Sequence, residues 1–199
     1  MDSKDYLEAT QRILQLNIKN MQDVATVLVE VCTLEPNFNP YYPLVAGKIA
    51  SLKPKFRLNL QYALWDRLKL IAEYELRRTS NLAKFAAKLI SDPTSNSSLS
   101  ILKFYPDLSN VSAIDMTFLN IFFTHFFKKV KADYLSRLVS KLREHNNRDV
   151  KLGIREFLSD FECDNGLKPK VKLCRRLLLI EVDDRTREAD EEYEWYTYV

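Results

Sequence analysis

Glycine is scarce: the 199-residue chain has three, Gly47, Gly153 and Gly166. That excludes both common phosphate-cradling loops, which need several glycines within a few residues. Histidine is scarcer still. His125 and His145 lie far apart, and neither has a Cys, Asp or Glu at metal-ligand spacing on its face. Set among phenylalanines, His125 reads as a structural histidine. The cysteines, Cys32, Cys163 and Cys174, are odd in number and widely spaced, which argues against a disulfide framework or a paired-thiol redox motif and fits a reducing compartment. The longest apolar runs, such as FLNIFF and LLLI, fall far short of the roughly 20 residues that cross a bilayer. The N-terminal MDSKDYLEAT has no signal-peptide apolar region. A soluble, intracellular chain with no membrane partner is the expectation.

Catalytic arrangements are also missing. HNNRDVK, residues 145–151, superficially resembles a kinase catalytic loop, but the strand context, the glycine-rich loop and the metal-binding asparagine are absent, so it reads as a helix-capping junction. With 29% charged residues, isolated carboxylates abound and no acid/base pair stands out. No nucleophile, base and orienting group can be assembled. The chain is not expected to be an enzyme, and no cofactor or metal is expected.

What is present is helical periodicity, in a chain that is 46% hydrophobic. Tyr6, Ala9, Ile13 and Leu16 have the spacing of one helix face. Asn20 is placed to cap a second helix carrying Met21, Val24, Leu28 and Val31, and the short link between the two predicts an antiparallel hairpin. The stretch EPNFNPYYPLVAGKIA, residues 35–50, interrupts this with three prolines and two tyrosines. Asn39-Pro40 is a helix start signal, yet with Asn39 as the cap Pro43 lacks the amide for the first intrahelical bond. Either the first turn is loose or the helix proper begins at Pro43. In both cases the stretch reads as a rigid corner.

Further helices are expected at LVAGKIASL, then after Pro54 with Leu60, Leu64, Leu68 and Ile71 on one face and Trp65 beside them, and again with Leu82, Phe85, Ala86 and Leu89. DPTSNSS ends that pattern, LSILKF follows, and Pro106-Asp107 forms a turn. The most apolar helix carries Phe118, Leu119, Phe122, Phe123, Phe126, Phe127 and Val130 over more than one face, which predicts burial from two sides. Two more helices carry Leu135, Leu138, Val139 and Leu142, then Val150, Ile154, Phe157, Leu158 and Phe161. LKPKVKLCRRLLLIEVDD alternates briefly around Val171 and Leu173 and is compatible with strand, helix or extended arm. The fold class is all-α, a stack of antiparallel helical hairpins with a C-terminal helical extension and an acidic tail.

The residues DYLEATQRILQLNIKN, NFNPYYPLVAGKIASL, FRLNLQYALWDRLK, RRTSNLAKFAAKLI and LSLSILKF, in that order, resemble the MA-three domain, a HEAT-like helical-hairpin module. The corner Asn39, Pro40, Tyr41 and Tyr42, the set Leu64, Trp65 and Asp66, the set Ser80, Asn81 and Leu82, and the later KLGIREFLSDF are most similar to the nucleolar family that couples an initiation-factor-four-G-like middle domain to an MA-three domain. The resemblance spans residues 4 to 165, and its specificity lies in the joint order of the motifs. It implies that Tyr41 and Tyr42 pack between helix pairs rather than touch a ligand. It also implies a non-catalytic scaffold in the nucleolus and nucleus, working with pre-ribosomal proteins and a DEAD-box RNA helicase in small-subunit pre-rRNA processing. The helicase contact in that family is attributed chiefly to the middle domain, which this chain lacks, so a C-terminal part of a longer protein is expected. A splicing scaffold and a helicase-binding translation regulator share the fold and are the alternatives. Pro43 and the acidic aromatic tail depart from the family pattern.

The expected division is an MA-three domain over 1–110, a helical extension over 111–165, and a basic segment with an acidic aromatic tail over 166–199. Residues 183–199 hold seven acidic and two basic residues, so a net charge of +3 conceals a basic body of 28 basic and 20 acidic residues. The sets Lys168, Lys170, Lys172, Arg175, Arg176 and Lys128, Lys129, Lys131 are the candidates for rRNA phosphate contact. The first set could instead pair with the tail.

Overall fold

The computed structural model describes residues 3–16, 18–104, 111–144 and 148–178. Eight helices run in order: α1 (Ser3–Gln15), α2 (Met21–Leu34), α3 (Tyr41–Leu52), α4 (Phe56–Lys69), α5 (Leu76–Ser91), α6 (Ala113–Lys129), α7 (Ala132–Glu144) and α8 (Arg148–Asp160). A further helix, α9, covers residues 168–178. Short 3-10 turns occupy Ile71–Glu73, Pro93–Ser95 and Leu99–Phe104. The architecture is a stack of antiparallel helical hairpins, as the periodicity predicts. Among the described residues there is no strand, and no helix is long and apolar enough to cross a membrane. The Pro106-Asp107 turn, His145 and the segment from 179 onward lie outside the described residues.

Several local expectations need correction. Leu16 falls past the end of α1 and is 69% exposed, and α1 approaches α3 most closely rather than the α2 that follows it. On α2 the buried stripe is Ala25, Leu28, Val29 and Cys32, because α4 and α5 both cover that side, whereas Val31 points outward. Asn20 does cap α2, its Oδ1 accepting the Gln22 amide at 3.1 Å.

At the corner neither expected alternative holds. Pro40, with φ −68° and ψ −10°, is the first carbonyl of the helix, and the Leu44 amide bonds to it at 3.2 Å. Pro43 therefore sits in the first turn, where its missing amide would have had no partner in the helix. Asn39 Oδ1 accepts the Tyr41 amide at 3.0 Å. Tyr41 and Tyr42 meet edge to face at 5.6 Å, and the Tyr42 hydroxyl donates to Glu35 Oε1 at 2.6 Å. Burial, then that bond, pushes the Tyr42 hydroxyl up to about 12.

The end of α2 is held from α5. Arg77 donates to the carbonyls of Leu34 and Glu35 at 2.8 and 3.0 Å, and the buried Asn81 amide donates to the Glu35 carbonyl at 2.9 Å. These carbonyls would otherwise lack intrahelical partners, and a cation suits a helix C-terminus. Nearby, Glu30 of α2 accepts from Arg67 of α4 at 2.7 Å and from Arg78 of α5 at 2.9 Å. Arg78 also lies 4.1 Å from the Tyr74 ring centre. Trp65 Nε1 donates to the Ile101 carbonyl at 2.8 Å, tying α4 to the 3-10 turn that carries LSILKF.

The two-sided burial of α6 is as predicted. Ser112 starts the helix through a reciprocal capping box with Asp115. One face packs against α5, where Ala83, Ala86 and Ala87 are buried. The other meets α8, with Phe123 stacked on Phe157 at 5.1 Å and Phe127 beside Phe161 at 6.3 Å.

These contacts predict that Asn81→Ala costs about 1 kcal/mol, since Arg77 still serves the Glu35 carbonyl. Adding Arg77→Ala should raise the loss to about 2–3 kcal/mol, more than the separate effects combined, because both donors are then gone. Urea unfolding of the two single variants and the double variant measures this.

Candidate functional site

The basic segment resolves into a helix because Leu167, Val171, Cys174 and Leu178 recur at spacings of four, three and four, and all are buried. That stripe outweighs the short alternation around Val171 and Leu173. Pro169 falls in the first turn, where a proline removes no helical bond. The opposite face then carries Lys168, Lys172, Arg175 and Arg176, all exposed. No described carboxylate forms a salt bridge with any of the four.

Lys170 behaves differently. Half-buried, it donates to the Phe127 carbonyl in the last turn of α6 at 2.8 Å. This bond joins the start of α9 to the end of α6, where Lys128, Lys129 and Lys131 are exposed. The two basic sets therefore meet at one corner, with Lys170 spent on holding it together. His125, in the same turn region, has its pKa lowered by burial first and then by Lys84, Lys128 and Lys129. Two of these cations, Lys128 and Lys129, belong to the corner, while Lys84 reaches His125 from α5.

Between the end of α8 and α9 runs a groove of about 980 Å³. Leu158, Phe161 and Leu173 form its apolar floor, while Lys168, Lys172, Arg175 and Arg176 stand on its rim with one carboxylate, Glu162. The half-buried Cys163 also lines it. The other two thiols are inert, since burial pushes both Cys32 and Cys174 up to about 12.

The motif residues of the first helices lie elsewhere, on α3, α4, α5 and the corner before α3. Asn39, Pro40, Tyr41 and Tyr42 build the corner, Trp65 and Asn81 bond to backbone carbonyls, and Asp66 forms an exposed pair with Lys69 at 2.9 Å. One surface was missed from the sequence. Val27, Val31 and Leu34 line the outer side of α2, 57%, 38% and 50% exposed. The signal was there, since MQDVATVLVEVCTL has more apolar residues than one buried face can use. Among the described residues no group of three or more His, Cys, Asp or Glu could hold a metal ion.

The MA3 domain profile matches residues 1–94. Those residues are an MA3 domain. It comprises α1 to α5 and ends within the 3-10 turn Pro93–Ser95. MA3 domains are non-catalytic protein-interaction modules. The chain is homologous to nucleolar MIF4G-domain-containing proteins. It is 27% identical over 169 residues to human "Nucleolar MIF4G domain-containing protein 1", covering 83% of this chain and 19% of that protein. It is 34% identical over 141 residues to "Suppressor of glycerol defect protein 1" of Schizosaccharomyces pombe, covering 66% and 18%. It is also 30% identical over 129 residues to "Pre-mRNA-splicing factor CWC22" of Yarrowia lipolytica, covering 64% and 13%. The chain thus spans about a fifth, or less, of the length of these relatives. The similarity to the human protein covers 83% of the chain and so extends beyond the MA3 domain into the extension.

The two kinds of lysine on α9 give a direct check. Lys170→Met should cost about 1–2 kcal/mol by leaving the Phe127 carbonyl without its donor. Lys172→Met should stay within about 0.5 kcal/mol. Thermal unfolding of the two variants tests the difference.

Proposed function

We propose that this chain is a non-catalytic interaction scaffold in ribosome biogenesis, acting in the nucleolus in small-subunit pre-rRNA processing with a DEAD-box RNA helicase. The observation that carries the reading is homology, running across both the MA3 helices and the extension, to a protein whose name is nucleolar and MIF4G-containing. The physical form suits the role. A stack of helix pairs presents a large rigid surface and binds extended partners without a pocket. The outward stripe of Val27, Val31 and Leu34 is the surface proposed for a protein partner. The corner of Lys168, Lys172, Arg175, Arg176, Lys128, Lys129 and Lys131 is the surface proposed for rRNA phosphates. Functionally, the chain then divides into an MA3-type part to about residue 110, an extension to 165, and a basic segment with its acidic tail.

A second reading rests on the match to a pre-mRNA-splicing factor, which makes the chain a splicing scaffold of the same fold. Affinity purification of the tagged chain from nuclear extract, with mass spectrometry and sequencing of crosslinked RNA, separates the two. Small-subunit assembly factors, a DEAD-box helicase and pre-rRNA are the expected yield; spliceosomal proteins and pre-mRNA would overturn the ribosomal reading. Arg175→Glu with Arg176→Glu should weaken RNA binding and flatten its salt dependence by roughly 1.5 in log-log slope. Unchanged binding and slope would remove that face from the RNA surface.

A further inference from the structure

The groove between α8 and α9 has two chemistries side by side, and few ligands answer both. Its floor offers half-buried rings and aliphatic carbons at Phe161 and Leu173, and its rim places Lys168, Lys172, Arg175 and Arg176 around them. A polyanion satisfies the rim alone, and an apolar helix satisfies the floor alone. A segment that intersperses carboxylates with aromatic rings satisfies both at once, because each ring buries apolar area while the flanking acids neutralise the rim.

The chain holds one such segment. Residues 183–199, outside the described residues, have seven acidic residues against two basic ones, and EEYEWYTYV sets Tyr193, Trp195, Tyr196 and Tyr198 next to Glu191, Glu192 and Glu194. We propose that the groove between α8 and α9 takes this acidic aromatic segment of the same chain. Reach is no obstacle, since 16 residues lie between Leu178 and Trp195 and an extended chain spans about 3.3 Å per residue. The tether also raises the local concentration of the segment to about 1 mM, so that even a weak intrinsic affinity suffices. Docked there, the segment covers the basic face of α9, and a nucleic acid or an acidic partner must displace it to reach that face. The proposal does not depend on RNA being the competitor.

Cys163 lines the groove and is a built-in reporter, because Cys32 and Cys174 are buried. The experiment follows alkylation of Cys163 in the full chain by N-ethylmaleimide, an uncharged reagent. The unmodified chain is compared with two variants, Tyr193→Ala/Trp195→Ala/Tyr196→Ala and Glu191→Lys/Glu192→Lys/Glu194→Lys, each at 1 and 50 micromolar protein. If the segment docks with an intrinsic Kd of about 0.2 mM, a local concentration of about 1 mM slows the reaction about sixfold. Both variants should then react about sixfold faster than the unmodified chain, at both concentrations and with unchanged helical circular dichroism. Rates equal within twofold across the three chains would overturn the proposal. Protection that grows with protein concentration would overturn it too, by showing that the occupant is the segment of a second copy.

Discussion

The packing of α5 against α6 is the constraint on which the rest depends. Helix α5 presents small residues, Ala83, Ala86 and Ala87, to its neighbours, and this lets α6 come close along its length. In return α6 brings Phe118, Phe122, Phe123, Phe126 and Phe127, none of which is left in solvent. A helix with rings on both sides has to be covered twice, and α5 can cover only one side. The second cover comes from α8, through Phe157 and Phe161. Cutting the chain at the end of the MA3 domain would therefore expose a face of α5 and leave α6 without its partner.

Around that apolar contact, polar bonds set angles rather than supply most of the stability. Glu30 ties α2 to α4 and α5, Asn81 and Arg77 close the end of α2, and Lys170 closes the end of α6. These bonds give partners to helix-end carbonyls and to a charge between helices, so they fix the rotation of helix pairs at modest net energy. The proline-tyrosine corner works the same way. Asn39 and Pro40 start α3 where the loop ends, and Tyr42 fastens that start to Glu35.

Much of this was legible before any coordinates. The all-α stack, the cap at Asn20 and the double burial of α6 follow from spacing and residue type. Three things were not legible. The buried stripe of α2 could not be picked out, because its outward side is apolar as well and only the positions of α4 and α5 decide between them. The function of Lys170 was hidden, because nothing local distinguishes a lysine that reaches a distant carbonyl from its solvated neighbours Lys168 and Lys172. The corner misled because the choice of Asn39 or Pro43 as the helix start overlooked Pro40, whose own carbonyl opens the ladder. Ser112 was the opposite case: its spacing to Asp115 is a readable capping box that was passed over.

The basic corner is built within the extension, where Lys170 closes the end of α6, and α6 in turn rests on α5 of the MA3 domain. Native-state hydrogen exchange across a urea series tests that directly. If α5 and α6 form one cooperative body, their slowest amides share one opening free energy, equal to that of global unfolding. Should the amides of α6 exchange through a lower-energy opening that leaves α5 protected, the extension would be a separate unit resting on an MA3 domain that stands without it.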